Sequence, residues 1–85
     1  MPNYPSITGK RLLKALLRRK YIIVKRKSGK RGKASHVVVR HPRDKTKVTV
    51  IIDTTDDLKK GTLGAIRRQL KLSKEDFFNI LGKGN

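Results

Sequence analysis

Tyr21-Ile22-Ile23-Val24, then Ser35-His36-Val37-Val38-Val39-Arg40, then Lys47-Val48-Thr49-Val50-Ile51-Ile52 are the three segments that decide the fold. Each is dense in β-branched or aromatic side chains, which suit a pleated, half-buried surface. Side chains alternate across a strand. His36, Val38 and Arg40 therefore share one face of the second segment, with Ser35, Val37 and Val39 on the other. In the third, Val48, Val50 and Ile52 oppose Thr49 and Ile51. Pro42 and the polar run Arg43 to Lys47 form the turn between the second and third segments. Strand, turn, strand in this spacing predicts an antiparallel meander.

Helical patterns lie on both sides. Upstream, Leu12, Leu13, Leu16 and Leu17 recur at spacings of three and four, with Ala15 near their edge. They predict an amphipathic helix capped by Thr8 or Ser6 and running to about Lys20. Met1 to Pro5 read as a disordered or loosely docked end. Downstream, Asp53 to Asp57 form a polar connection. Leu63, Ile66 and Leu70 follow at helical spacing with Thr62 as the cap, and Leu72 packs beneath a break. Ser73 and Asp76 then resemble a capping box, Phe77, Phe78, Ile80 and Leu81 supply an apolar face, and Gly82 is the expected stop. The expected fold is α+β: one helix, a three-stranded antiparallel sheet, then a helix that the break near Leu72 can divide in two, with the helices on one sheet face. At 85 residues the chain is read as a single domain spanning residues 1–85.

The chain carries 23 Lys and Arg against 6 Asp and Glu, a formal charge of +17. A thermophile-type surface would add acids beside the bases, so single-sign charge points to nucleic acid as the partner. Residues 1–47 hold 16 of the bases and a single acid, Asp44. The densest stretch is Lys25 to Lys33, six bases in nine residues, read as a basic loop between the first two strands. There is no cysteine, which removes disulfide, thiolate-zinc and Cys-nucleophile chemistry. No apolar run approaches the ~20 residues of a membrane span, and the N-terminus lacks a secretory h-region. The expectation is a soluble, cytoplasmic chain with no membrane partner. With only two Tyr and two Phe, an aromatic platform for single strands is poorly supported.

Chemistry has one candidate. If Val37 and Val39 face the core, His36 points outward near Arg40 and the basic loop. RNA carries its own nucleophile, the 2′-hydroxyl, so strand cleavage needs a base, an acid and positive charge on the phosphate. A histidine among lysines and arginines is biased toward the neutral imidazole that acts as a base. This route needs no metal and no cofactor. His41, before Pro42, reads as an ordinary turn residue. Asp53, Asp56 and Asp57 are the sole acidic cluster, and the start of a helix accounts for the adjacent pair better than a metal site does.

Taken together, Ile7-Thr8-Gly9-Lys10 before a leucine-rich helix, Ala34-Ser35-His36 opening a strand, Arg40-His41-Pro42, the Val-Thr-Val strand, Leu58-Lys59-Lys60-Gly61-Thr62-Leu63 with Ile66, and Leu72-Ser73 with Asp76-Phe77 resemble the HicA-type (YcfA-like) mRNA interferase toxins. The likeness runs from about Ile7 to Leu81. It implies a double-stranded-RNA-binding-like fold, a type II toxin that cleaves mRNA with a strand histidine, here His36, and neutralisation by an acidic HicB-type antitoxin. Two features depart from the family pattern: Ala34 stands where glycine is usual, and Ser28 to Lys33 lengthen the first hairpin connection. The candidate RNA contacts are Lys25, Arg26, Lys27, Lys30, Arg31, Lys33, Ser35, Arg40, Lys59 and Lys60. The competing reading is a non-catalytic module that binds double-stranded RNA or other nucleic acid.

Overall fold

A computed structural model describes residues 4–28 and 35–83. The elements run α1 (Gly9–Arg18), β1 (Ile22–Lys27), β2 (Ser35–Arg40), β3 (Val48–Asp53), α2 (Lys60–Gln69) and α3 (Lys74–Lys83). The strands form one antiparallel sheet in the order β1-β2-β3, and the helices pack on one face of it. This is the α+β order expected from the sequence, with the C-terminal helix divided in two, and it is consistent with a double-stranded-RNA-binding-like fold.

Local chemistry sets the helix ends. Thr8, not Ser6, caps α1: its Oγ1 accepts a hydrogen bond from the Arg11 amide at 3.1 Å. The helix stops at Arg18, two residues before the expected end, because Lys20 takes the left-handed conformation (φ 73°). The Lys20 amide then donates to the Leu17 carbonyl and the Tyr21 amide to the Leu16 carbonyl, the paired bonds of a Schellman stop. Helix α2 ends the same way, with Lys71 at φ 54° and amides of Lys71 and Leu72 donating to the carbonyls of Arg68 and Arg67. It begins earlier than expected. Lys59, not Thr62, is the N-cap residue, and its carbonyl accepts from the Leu63 amide. Ser73 caps α3 as anticipated, its Oγ accepting from the Asp76 amide. Gly82 does not stop that helix, which continues to Lys83.

The core lies between the sheet and the helices. Leu12 and Leu16 of α1, Val37 and Val39 of β2, Ile51 of β3, Leu70 and Phe77 are fully buried. Leu17 departs from the expected stripe and is 39% exposed, whereas Ala15 is buried. Helix positions step by about 100°, so a face centred on Leu12 and Leu16 reaches Ala15 and leaves Leu17 beyond its far edge. The alternation of β3 is as read, but the face carrying Val48, Val50 and Ile52 is the exposed one, and Thr49 and Ile51 are inside. Thr49 is the single buried polar residue among the described residues, and its hydroxyl donates to Oε1 of Gln69, so its own burial leaves no unpaired hydroxyl.

Two tight contacts close the structure. Gly9 is pressed against the end of β3: a Cβ there would overlap the Ile52 carbonyl oxygen and lie 2.9 Å from its carbon. Glycine allows that approach, and the Lys10 amide donates to the Thr54 carbonyl beside it at 2.9 Å. At the N-terminus Tyr4 is docked, contrary to the expectation for Met1 to Pro5. Its ring meets Phe77 edge-on at 5.6 Å and Phe78 at 5.4 Å, and its hydroxyl accepts from Nε of Arg67. Residues 1–3 lie outside the described residues.

Candidate nucleic-acid interface

The helix-free face of the sheet is fixed by strand register, because directly paired residues point to the same side. Lys27 pairs with His36, and His36 with Ile52; Lys25 pairs with Val38, and Val38 with Val50; Ile22 pairs with Arg40, and Arg40 with Val48. His36 is exposed, as strand alternation required once Val37 and Val39 were inside. Its backbone is held in the strand ladder, and its imidazole makes no hydrogen bond to a described residue. One flank of the imidazole is cationic, built from Lys25 and Lys27 of β1. The other is aliphatic, built from Val48, Val50 and Ile52 of β3, which are 36–45% exposed.

Arg26 is not part of this face. It pairs in register with Val37, on the helix side of the sheet, and its Nη1 donates to Oδ2 of Asp53 at 2.8 Å. The reason is a β-bulge: the pairing shifts between Ile23 and Lys25, so Val24 is the extra residue and the side-chain alternation of β1 reverses after it. Lys25 to Lys27, expected in a loop, are therefore ordered strand residues. Lys30, Arg31 and Lys33, with Ala34, lie outside the described residues. Ser35 is half-buried opposite Asp53, also on the helix side. Arg40 lies on the open face with its Nη1 donating to the His41 carbonyl at 3.0 Å.

Lys59 and Lys60 sit at the exposed start of α2, and the chain brings that start to the same end of the molecule as His36. The Leu58 amide donates to the Ile7 carbonyl, Thr8 bridges to Asp57, and Lys10 bonds to Thr54 just past β3. The segments leading into α1 and α2 thus pair with each other just past the end of β3, the strand end whose Ile52 stands opposite His36. Neither first turn contains an acid, and Lys10, Arg11, Lys59 and Lys60 are exposed there. The amides of Lys10 and Arg11 are already bonded within the fold, so the anion-attracting character of this corner comes from its cations and from the start of α2, which has no side-chain cap.

Asp53 is the residue the sequence did not single out for this region. It stood within a polar connection, yet it ends β3 and receives Arg26 on Oδ2 and Lys10 at 3.9 Å from Oδ1. Its Oδ1 is buried without a hydrogen-bond partner. Its place in the acidic cluster with Asp56 and Asp57 carries no sequence signal for an ion pair with a residue 27 positions upstream. His41 is the turn residue it was taken for: its Nδ1 accepts from the amides of Arg43 and Asp44, and its ring stands edge-on to Tyr21 at 5.4 Å. Among the described residues no helix is long and apolar enough to cross a membrane, and no group of three or more His, Cys, Asp or Glu could hold a metal ion.

Comparison with curated proteins and with solved structures finds no match. One family model does match, over residues 9–72, and is described as the HicA toxin of bacterial toxin-antitoxin. The matched span opens at the glycine pressed against β3, takes in the whole sheet with His36 and both basic helix starts, and closes at the Schellman turn after α2. Covering most of the chain and every element that builds the open face, it places this chain in the HicA toxin family of bacterial toxin-antitoxin systems.

Proposed function

We propose that this toxin is a metal-independent endoribonuclease that cleaves mRNA in the cytoplasm with His36 as its proton-transfer group. The observation that supports the reading best is the register of the open face, which sets an exposed histidine directly opposite Lys27. In the proposed step, His36 takes the proton from a ribose 2′-hydroxyl, and that oxygen attacks the adjacent phosphorus. The bond from phosphorus to the 5′-oxygen breaks, that oxygen takes a proton from solvent water, and a 2′,3′-cyclic phosphate remains. Lys25 and Lys27 meet the negative charge that builds on the phosphoryl oxygens. A general base of this kind is worth about 10²–10⁴ in rate. Lys59 and Lys60, with Lys10 and Arg11, hold flanking phosphates, the shape-and-backbone recognition suited to A-form RNA.

Toxin-antitoxin membership supplies a protein partner. The reading assigns it an acidic, HicB-type surface that covers the same open face: the lysines attract its carboxylates and the β3 aliphatics give it area to bury. Charge complementarity would speed that encounter.

The test compares wild type with His36→Ala for growth arrest and for RNA cleavage in EDTA. Loss of both in the variant, with wild-type cleavage unaffected by EDTA, is the expected result. Equal cleavage by the two proteins, or cleavage abolished by EDTA, refutes it. Tight RNA binding without cleavage by wild type would favour a non-catalytic RNA-binding module. Its affinity would fall with salt at a log–log slope of about −5 for six phosphate contacts.

A further inference from the structure

Strand β1 is held in an unusual way. All six of its residues are exposed, so burial does not select its register, and a strand without a buried face is prone to slip. Its basic half reads Lys25-Arg26-Lys27, so a slip of one residue exchanges the cations on the two faces. With alternation running straight on from Ile23 opposite Val39, Arg26 would stand opposite His36 and Lys27 opposite Ser35. The Val24 bulge gives the reverse: Lys27 opposite His36 and Arg26 opposite Val37. In that register the Arg26 guanidinium crosses over β2 and bonds to Asp53 at the end of β3, and Lys10 from α1 approaches the same carboxylate.

We propose that the Arg26–Asp53 ion pair is a register lock: it holds the bulge at Val24 and so puts an ammonium group, Lys27, beside His36 in place of a guanidinium. Asp53 and Arg26 are then positioning residues, acting on the open face from behind the sheet. The preference for Arg26 over its neighbour follows from donor geometry. In the slipped register Lys25 would come opposite Val37, where a compact ammonium lacks the planar fork and reach of a guanidinium. The consequence for RNA rests on the function proposed above; the lock itself does not.

Cross-strand disulfide trapping reads the register without reference to RNA. Lys27→Cys with His36→Cys reports the bulged register, and Lys27→Cys with Ser35→Cys the slipped one, since a disulfide needs Cα atoms within ~7 Å and side chains on the same side. The first pair is expected to close readily and the second poorly. Asp53→Asn should shift the ratio of the two closure rates toward the slipped pair by roughly fivefold, the upper end for a partly exposed ion pair. Arg26→Asp with Asp53→Arg should restore it. An unchanged ratio in Asp53→Asn, or failure of the exchanged pair to restore it, overturns the lock. In RNA cleavage, Asp53→Asn removes a negative charge and should leave KM unchanged or lower, while kcat falls several-fold because Lys27 is misplaced. A variant in which kcat holds and only KM moves overturns the positioning role. If the trapping ratio shifts but neither wild type nor any variant cleaves RNA, the lock stands and the ribonuclease reading fails.

Discussion

Gly9→Ala separates two influences on the same residue with opposite signs. By helix propensity alone, alanine at a helical position stabilises by about 0.5–1 kcal/mol relative to glycine. The structure demands the opposite. The added Cβ would overlap the Ile52 carbonyl oxygen, with the Ile52 carbonyl carbon at 2.9 Å and Cγ2 of Thr54 at 3.2 Å. Two of those atoms are backbone of a strand paired to β2, so they cannot swing aside, and α1 must move off the sheet. Forcing a methyl group into filled space costs about 1–3 kcal/mol. The bond from the Lys10 amide to the Thr54 carbonyl, 2.9 Å long, is worth about 1 kcal/mol more when lost. Set against the gain in propensity, the net destabilisation is about 2 kcal/mol. For a domain of this size that lowers Tm by roughly 8–16 °C. Thermal unfolding followed by circular dichroism at 222 nm measures it directly. A Tm equal to or above that of wild type would refute the close packing of α1 on β3, and with it the joining of the α1 start to the end of the sheet that carries His36.

Other outcomes follow from the same geometry. Lys71 is exposed and sits at φ 54°, a conformation that costs an L-residue about 1–2 kcal/mol. Lys71→Gly should therefore stabilise by roughly 0.5–1 kcal/mol after glycine's entropic penalty, seen as a higher urea midpoint at unchanged m-value; a lower midpoint contradicts the Schellman stop. Tyr21 is held above the usual tyrosine range, first by burial, with Asp76 adding to it and Arg19 opposing it. Because the folded value is the raised one, the associated stability is intact below about pH 10 and is lost as pH climbs through the folded value. Wild type should then lose Tm faster than Tyr21→Phe across that window, and a constant difference between the two would contradict it.

Much of the architecture could be read from spacing. The three β-rich segments and the Pro42 turn gave the meander, and the leucine periodicity gave α1. Val37 and Val39 placed His36 outside. What the sequence obscured has particular causes. Neither Lys20 nor Lys71 signals a helix stop, because glycine usually occupies the left-handed position and here the neighbouring hydrogen bonds impose it on lysine. Thr62 resembled a cap more than Lys59 did. Yet the chain is already turning at Lys59, because Leu58 is bonded back to Ile7. The alternation of β3 did not say which of its faces is buried. The face with Thr49 can be the inner one because Gln69, twenty residues later, meets its hydroxyl.

The sequence by itself determined the order of elements, the concentration of positive charge in the first half and the outward placement of His36, since each depends on local periodicity or composition. Tertiary structure alone decided which cations stand beside that histidine. A bulge of one residue at Val24 and a carboxylate at Asp53 send Arg26 behind the sheet and leave Lys25 and Lys27 in front of it. That outcome depends on pairing register and on an ion pair spanning three strands, and both arise from contacts between segments distant in the chain. A period-two pattern is indifferent to a single inserted residue until its neighbouring strand is in place.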